Sequence, residues 1–283
     1  MRDLWPSSAV QLGILGSRWQ IEIMSKMEKW LYDHSRRIVA LTQGIKTDIC
    51  RRGWQRDKIV FIPCGIDSQQ IYPDPASGDD IKRRFGWQSK RVVLYFGALG
   101  EANNLSVILR AAKRLRCRQE ILFVIVGDGM KRRSLEDRRQ TESLENVQIL
   151  PPVAKQEARR FINAADLCLV TLRDIPLFEG AIPTKLLEYL ACGKPVICGI
   201  RGEAERIVRS SKAAVAFEPN DDHRLAELIG QLLADDARRL EMAAQGPAFI
   251  EKHFAAGDMR LRMEQVLQDA AVLKGNASGL KPG

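Results

Sequence analysis

Residues 90–129, KRVVLYFGALGEANNLSVILRAAKRLRCRQEILFVIVGDG, place two short apolar runs on either side of a helical pattern. RVVLYFG (91–97) and ILFVIVG (121–127) are apolar without alternation, which is the pattern of parallel strands buried on both faces. Between them LSVILRAAKRLR repeats its apolar residues at helical spacing, so the stretch is a strand–helix–strand unit. The same rhythm continues downstream. VQIL (147–150), LCLVTL (167–172), PVIC (195–198) and AAVAF (213–217) are further strands, separated by the helical patterns MKRRSLEDRRQ, KQEARRFINAA and PTKLLEYLAC. DDHRLAELIGQLLADD follows as another helix. This alternation predicts a doubly wound, Rossmann-like α/β domain, and residues 91–235 suffice to hold it.

The flanks differ. RWQIEIMSKMEKWLYDHSR (18–36) predicts a helix with Ile23, Met27, Trp30 and Leu31 at helical spacing. IVALT and IVFIP follow as strands around the helix GIKTDICRRG, which is only the tail of an α/β domain, since so few strands do not close a sheet of their own. CGIDSQQIYPDPASGDD (64–80), rich in Pro, Gly and Asp, is expected to be a linker with a boundary near residue 68. After residue 235 the sequence offers helices and no strand, and KGNASGLKPG is expected to be disordered. The expected organisation is a remnant of an N-terminal domain over 1–67, a complete domain over 68–235, returning helices over 236–273 and a disordered tail over 274–283.

Composition narrows the function classes. The 283 residues carry a net charge of +9, with 45% hydrophobic side chains, as an ordinary soluble protein does. The six cysteines form no CxxC pair and are expected to be buried free thiols of a reducing compartment, and the three histidines are too scattered for a metal site. No apolar run approaches the roughly 20 residues that span a bilayer, and the N-terminus lacks the order of a signal peptide, so a cytoplasmic location is expected. Residues 1–60 hold eleven Lys/Arg against six Asp/Glu. Nucleic acid, anionic lipid, a phosphorylated ligand and plain solvation each fit that excess. Trp19, Ile23, Met27 and Trp30 share one helical face near Arg18, Lys26, Lys29, Arg36 and Arg37. This face either packs on its own sheet or rests on anionic lipid at the inner side of the membrane.

In an open α/β sheet ligands bind outside the carboxyl ends of the strands. The loops to inspect are therefore GALGEANN, GDGMK, LPPV and RDIPLFEGAIPTK. Gly97 and Gly100 suit a loop whose N–H groups face a phosphate, and equally a tight strand-to-helix turn. Gly127 and Gly129 form a fragment of GxGxxG without its third glycine, and no GxxxxGK[ST] occurs, which excludes a P-loop. Pro183 fits the first turn of a helix, leaving the N–H groups around Thr184 and Lys185 and the helix dipole as an anion site. Glu188, about one and a half turns later, is placed to accept from the vicinal hydroxyls of a ribose, or is a surface acid of an amphipathic helix.

Taken in order, DLWPSSAVQLG, VFIPCGID, YFGALG, FVIVGDG, NVQILPPV, INAADLCLV and EGAIPTKLLEYLACGKPVI resemble the GT-B glycosyltransferases of the large retaining family 4. DLWPSSAVQLG and PTKLLEYLACGKPV are similar to the bacterial branch that builds O-antigen, capsule and colanic-acid repeats, fucosamine-type transferases included. The resemblance runs from residue 2 to about 255. It implies a GT-B-like fold that moves a sugar from a UDP- or GDP-sugar to a lipid-linked glycan with retained anomeric configuration and no metal, cofactor or nucleic acid. It implies Lys185 and Glu188 as the catalytic-site residues. The donor would lie among Gly97, Gly100, Gly127, Gly129, Pro152, Val153, Pro183, Thr184, Lys185 and Glu188. Glu188 matches the second acid of the family's E-x7-E pair, the ribose ligand. The position of the first acid is Gly180, and Glu179 misses it by one. The Arg and Lys that many relatives carry after the first glycine loop are replaced by Glu101-Ala102-Asn103-Asn104. Family members begin with an acceptor-binding Rossmann domain, of which this sequence resembles only the last third. That implies either a fragment or a separate polypeptide supplying the rest. Two other classes fit parts of the pattern. One is a non-catalytic nucleotide-sugar-binding fragment or partner subunit, and the other is an NAD-dependent oxidoreductase, which the incomplete glycine fingerprint opposes.

Overall fold

A computed structural model describes residues 4–278. The chain divides into two compact units, Met1–Gly65 with Phe254–Gly283, and Ile66–His253.

The first unit starts with α1 (Ser7–Gln11) and α2 (Arg18–His34), followed by β1 (Ile38–Ala40), α3 (Gln43–Arg51) and β2 (Ile59–Phe61). β1 and β2 pair in parallel with Ile38 opposite Ile59. The Thr42 hydroxyl accepts from the Ile45 N–H and caps α3, satisfying one of the helix's unpaired donors. Tyr32, Ile38, Ala40, Ile45, Ile49 and Ile59 form a small core. The inward face of α2 is not the apolar stripe. Glu28 and Tyr32 are its buried residues, and Glu28 is held there by a two-pronged pair with Arg52 at 2.7 and 2.9 Å. Ile23, Met27 and Leu31 face outward with Trp19 and Trp30, which are 64% and 59% exposed, so the stripe does not pack on its own sheet.

The second unit runs α4 (Pro75–Phe85), β3 (Arg91–Phe96), α5 (Leu105–Arg114), β4 (Ile121–Val126), α6 (Arg132–Thr141), β5 (Val147–Leu150) and α7 (Lys155–Ala164). It continues with β6 (Leu167–Thr171), α8 (Thr184–Ala191), β7 (Val196–Gly199), α9 (Glu203–Ser211), β8 (Ala214–Ala216), α10 (Asp222–Ala234) and α11 (Asp236–Phe254). All six strands are parallel, in the order β5-β4-β3-β6-β7-β8. The order reverses between β3 and β6, which opens the crevice where doubly wound folds bind ligands. β4 is buried along its whole length, and Val93, Phe123, Ile125, Leu167, Leu169 and Ile197 anchor the core on which α5 and α10 close. The α/β expectation holds.

Two local expectations are corrected, and one helix was not foreseen. The supposed linker over 64–80 contains the start of α4. Asp74 caps it by accepting from the Ser77 N–H, and Pro75 occupies its first turn. Gly78 lets α4 close on α7, since a Cβ there would sit 2.4 Å from the Asn163 carbonyl oxygen. GEAERIVRSS, to which no element was assigned from the sequence, contains the whole of α9. α12 (Ala256–Ser278) extends the helical backbone through 274–278, where disorder was expected, while 279–283 lie outside the described residues. α12 belongs to the first unit, where the Arg36 guanidinium donates to the Ala270 carbonyl at 3.0 Å. Of the cysteines, Cys168, Cys192 and Cys198 are buried and Cys117 is exposed. No helix among the described residues is long and apolar enough to cross a membrane.

Candidate functional site

The motif residues of the second unit first explain its construction. Asp166, from INAADLCLV, accepts from the Val92 N–H at 2.7 Å and from Lys82 at 3.0 Å, fixing the start of β3. Asn163 is buried and accepts from the Asp74 N–H at 2.8 Å, which positions the entry to α4. Asn163 is buried and Asp166 half-buried, and the side chain of each is hydrogen-bonded.

At the carboxyl end of the sheet, the loops after β3 and β4 meet backbone to backbone. The Leu99 N–H donates to the Asp128 carbonyl at 2.8 Å, and the Lys131 N–H donates to that of Leu99 at 2.9 Å. A Cβ on Gly127 (φ +151°) would lie 1.9 Å from the Gly97 carbonyl oxygen, and one on Gly129 (φ +150°) 2.6 Å from that of Leu99. The glycines of GDG are thus accounted for by this close approach in a conformation that side chains disfavour. The Gly97 N–H donates to the Val126 carbonyl at 2.9 Å. It is therefore not a free donor, contrary to the reading of a loop open at Gly97. The N–H groups of Ala98 and Gly100 have no acceptor among the described residues.

α8 is docked onto the end of β3 by Tyr189. Its buried hydroxyl accepts from the Phe96 N–H at 2.9 Å and donates to the Phe96 carbonyl at 3.1 Å. Lys185 lies one helical turn earlier on the same face, so this clamp carries it to the Gly97 loop. Its ammonium donates to the Tyr95 hydroxyl at 2.6 Å and to Asn103 Oδ1 at 3.2 Å. It also sits 4.0 Å from the centroid of the Tyr95 ring. A Cβ on Gly97 would lie 3.1 Å from Lys185 Nζ, so glycine makes room for the cation. No carboxylate is bonded to this ammonium among the described residues. Burial lowers its pKa from 10.5 to about 7, with Glu188 opposing.

Pro183 is the residue before the first helical position, a small correction to its expected place. Its carbonyl accepts from the Leu186 N–H at 3.0 Å, leaving the N–H groups of Thr184 and Lys185 at the positive end of α8. The Glu188 carboxylate accepts no hydrogen bond from the described protein. Burial raises its pKa, and Lys155 and Lys185 pull it back. Pro152 is exposed and Val153 half-buried, in the loop between β5 and α7 that leads to Lys155. Glu179 is exposed in the 3-10 turn Pro176–Gly180, with its carbonyl against Gly202. Glu101 is paired with Lys131 at 2.5 Å and faces Arg173 at 3.6 Å. Among the described residues no group of three or more His, Cys, Asp or Glu side chains is placed to hold a metal ion.

Lys185 is thus brought against Gly97, with Thr184 beside it and Glu188 one turn on along α8, while Glu179 and Gly180 lie in the separate turn Pro176–Gly180. Sequence reasoning missed Tyr95, Asn103, Tyr189 and Lys155. Two of them left a signal: Tyr95 is a polar-tipped ring within an otherwise apolar strand, and Tyr189 stands four residues after Lys185.

Comparison with known proteins shows the family and the fold. The model of the family described as "Glycosyl transferases group 1" matches residues 78–249, and that of "Glycosyltransferase Family 4" matches residues 12–70. A GDP-mannose-dependent monoacylated alpha-(1-6)-phosphatidylinositol monomannoside mannosyltransferase of Corynebacterium glutamicum is 27% identical over 212 residues, 73% of this chain and 55% of that protein. The putative colanic acid biosynthesis glycosyl transferase WcaI of Escherichia coli is 30% identical over 158 residues, 55% of this chain and 38% of that protein. The chain spans about half the length of the curated relatives it matches. Anabaena Alr3699/HepE, solved in complex with UDP and glucose, superposes with a TM-score of 0.76 at 19% identity, over 84% of this chain and 64% of that one. That likeness shows a shared GT-B-like, Rossmann-type fold.

Proposed function

The chain belongs to the group 1 glycosyl transferases, and we propose that it transfers a sugar from a UDP- or GDP-sugar to a lipid-linked glycan, with retention at the anomeric carbon. The observation that carries this reading is the Lys185 ammonium. It is bonded to Tyr95 and Asn103, both neutral, beside the open N–H groups of α8 and one turn before Glu188. Such a cation lacks the anion that would repay its burial, and a diphosphate supplies one. The Glu188 carboxylate takes the ribose hydroxyls of the same nucleotide.

In the reaction the bond between the anomeric carbon and the diphosphate oxygen breaks, and the bonding pair leaves with the phosphate. The acceptor hydroxyl oxygen forms the new bond on the same face, and its proton passes to the departing diphosphate oxygen. Negative charge grows on the leaving diphosphate, and fixed donors at Lys185, Thr184 and the Ala98–Gly100 loop stabilise it without reorganising. The donor is read as lying between this rim and the Pro152–Val153 loop. The acceptor is met at the cytoplasmic side of an anionic membrane. What supports that placement is the exposed stripe of Trp19, Ile23, Met27 and Trp30, with Arg18, Arg36 and Arg37 near it in sequence. Lys26 and Lys29 add less charge, being paired with Glu22 and Asp33 at 2.7 Å each.

Calorimetric titration with UDP, GDP, uridine and guanosine tests the site. One diphosphate is expected to bind well above its nucleoside, and equal or absent binding of all four refutes the reading. Transfer is tested separately with a labelled nucleotide-sugar and a membrane lipid extract.

A further inference from the structure

Tyr95 is buried, yet its hydroxyl emerges at the carboxyl end of β3. There it donates to the Ala98 carbonyl at 2.8 Å. A phenol has one proton, so with that proton engaged a lone pair remains to receive Lys185 Nζ at 2.6 Å. The same ring presents its negative face to the ammonium at 4.0 Å. Asn103 is the other acceptor, and its position is secured from the next strand by the Thr171 hydroxyl, which donates to the Asn103 carbonyl at 2.6 Å.

We propose that Tyr95 is a positioning residue for the donor diphosphate: its hydroxyl, seated between the Ala98 carbonyl and Lys185 Nζ, fixes the ammonium at the Gly97 loop in its charged form. The proposal rests on the reading of Lys185 as the diphosphate contact. A lysine side chain has four rotatable bonds, and unheld it would extend past the loop into solvent. Held, it pairs with anionic oxygens arriving over Ala98 and Gly100. The tyrosine itself stays neutral throughout, because burial raises its pKa. The charged or titratable groups around the ammonium are few. Glu188 is on its own helix, Tyr95 on β3, and Tyr189 is engaged with Phe96. Glu101 on the adjoining turn is occupied by Lys131 and Arg173, and Lys155 of α7 acts on Glu188.

Tyr95→Phe keeps the buried ring and removes only the acceptor. Binding of UDP and GDP, with uridine and guanosine as controls, is measured by calorimetry from pH 6 to 9 on the wild type, Lys185→Met and Tyr95→Phe. Losing one hydrogen bond to a charged group is expected to weaken the diphosphate about tenfold at pH 7.5 and leave the nucleoside unchanged. The pH above which diphosphate affinity declines moves down, because the ammonium is less stabilised. A structural role alone would weaken both ligands equally and leave the pH profile in place, and that result overturns the proposal. Asn103→Ala, which removes the second acceptor from a part-buried turn, is a parallel variant expected to shift the profile the same way. If Lys185→Met leaves the diphosphate unaffected, the reading of Lys185 fails. If Lys185→Met weakens it while Tyr95→Phe does not, only the role of Tyr95 fails.

Discussion

Replacing Lys185 by Met is expected to make the ligand-free protein more stable while destroying its site. The wild-type ammonium is pushed from 10.5 to about 7 by burial, so holding it charged in the folded chain costs roughly 5 kcal/mol at low pH. Methionine fills similar space without charge, but it leaves the Tyr95 hydroxyl and Asn103 Oδ1 each short of a donor, about 1 kcal/mol apiece. The balance is a gain of about 2–3 kcal/mol, which raises the melting temperature of a domain this size by roughly 5–10 °C. The sign depends on pH in a definite way. Below pH 7 wild type carries the whole cost. Between about 7 and 10.5 the folded state sheds the proton that the unfolded state still binds, so wild type gains stability as pH rises and closes the gap. Scanning calorimetry at pH 6, 7.5 and 9 is the measurement. A variant that melts lower at pH 6, or a gap that does not shrink by pH 9, refutes the assignment of Lys185 as a cation stored against its own stability.

Glu188→Gln is expected to weaken UDP or GDP by about 1.5–3 kcal/mol per charge-assisted bond with no loss of melting temperature, since burial already opposes this carboxylate. Calorimetry showing unchanged affinity removes Glu188 from the site. Diphosphate affinity in the wild type should fall on both sides of neutrality. On the acid side Glu188, raised by burial, protonates early, and on the basic side Lys185 deprotonates above about 7; a flat profile from pH 5 to 9 contradicts both roles. Gly127→Ala would set a methyl 1.9 Å from the Gly97 carbonyl oxygen at a φ of +151°, and is expected to destabilise the second unit by at least about 1–3 kcal/mol in chemical denaturation. Sedimentation with liposomes tests the α2 stripe. Binding to anionic but not neutral vesicles, reversed by salt, is expected, and binding to both or neither defeats the membrane reading.

The strands of the second unit stood out in the sequence because unbroken β-branched runs have few other uses. ILFVIV at 121–126 became a strand buried at every position. α4 was hidden because Pro75, Ser77 and Gly78 are poor helix formers, and its helix exists through the Asp74 cap and the tertiary contact at Asn163. The inward face of α2 was left open because a buried Glu28 is intelligible only with Arg52, a partner 24 positions away. The same limit applied at the site. Lys185 and Glu188 were found from a helix start, which is local chemistry. Tyr95 and Asn103 act on Lys185 across 90 and 82 positions, and no local pattern encodes that contact.

The seam between the loops after β3 and β4 has a bearing on protein engineering. Gly127 and Gly129 lie against the carbonyls of Gly97 and Leu99 with no room for a single added carbon. A randomised library at Gly127 and Gly129 would return mostly unfolded chains. Diversity aimed at changing the accepted nucleotide or sugar is better spent on residues 151–155 and 173–181. There the chain is largely surface-exposed or half-buried, and substitutions can accumulate without unseating the rim proposed to hold the phosphates.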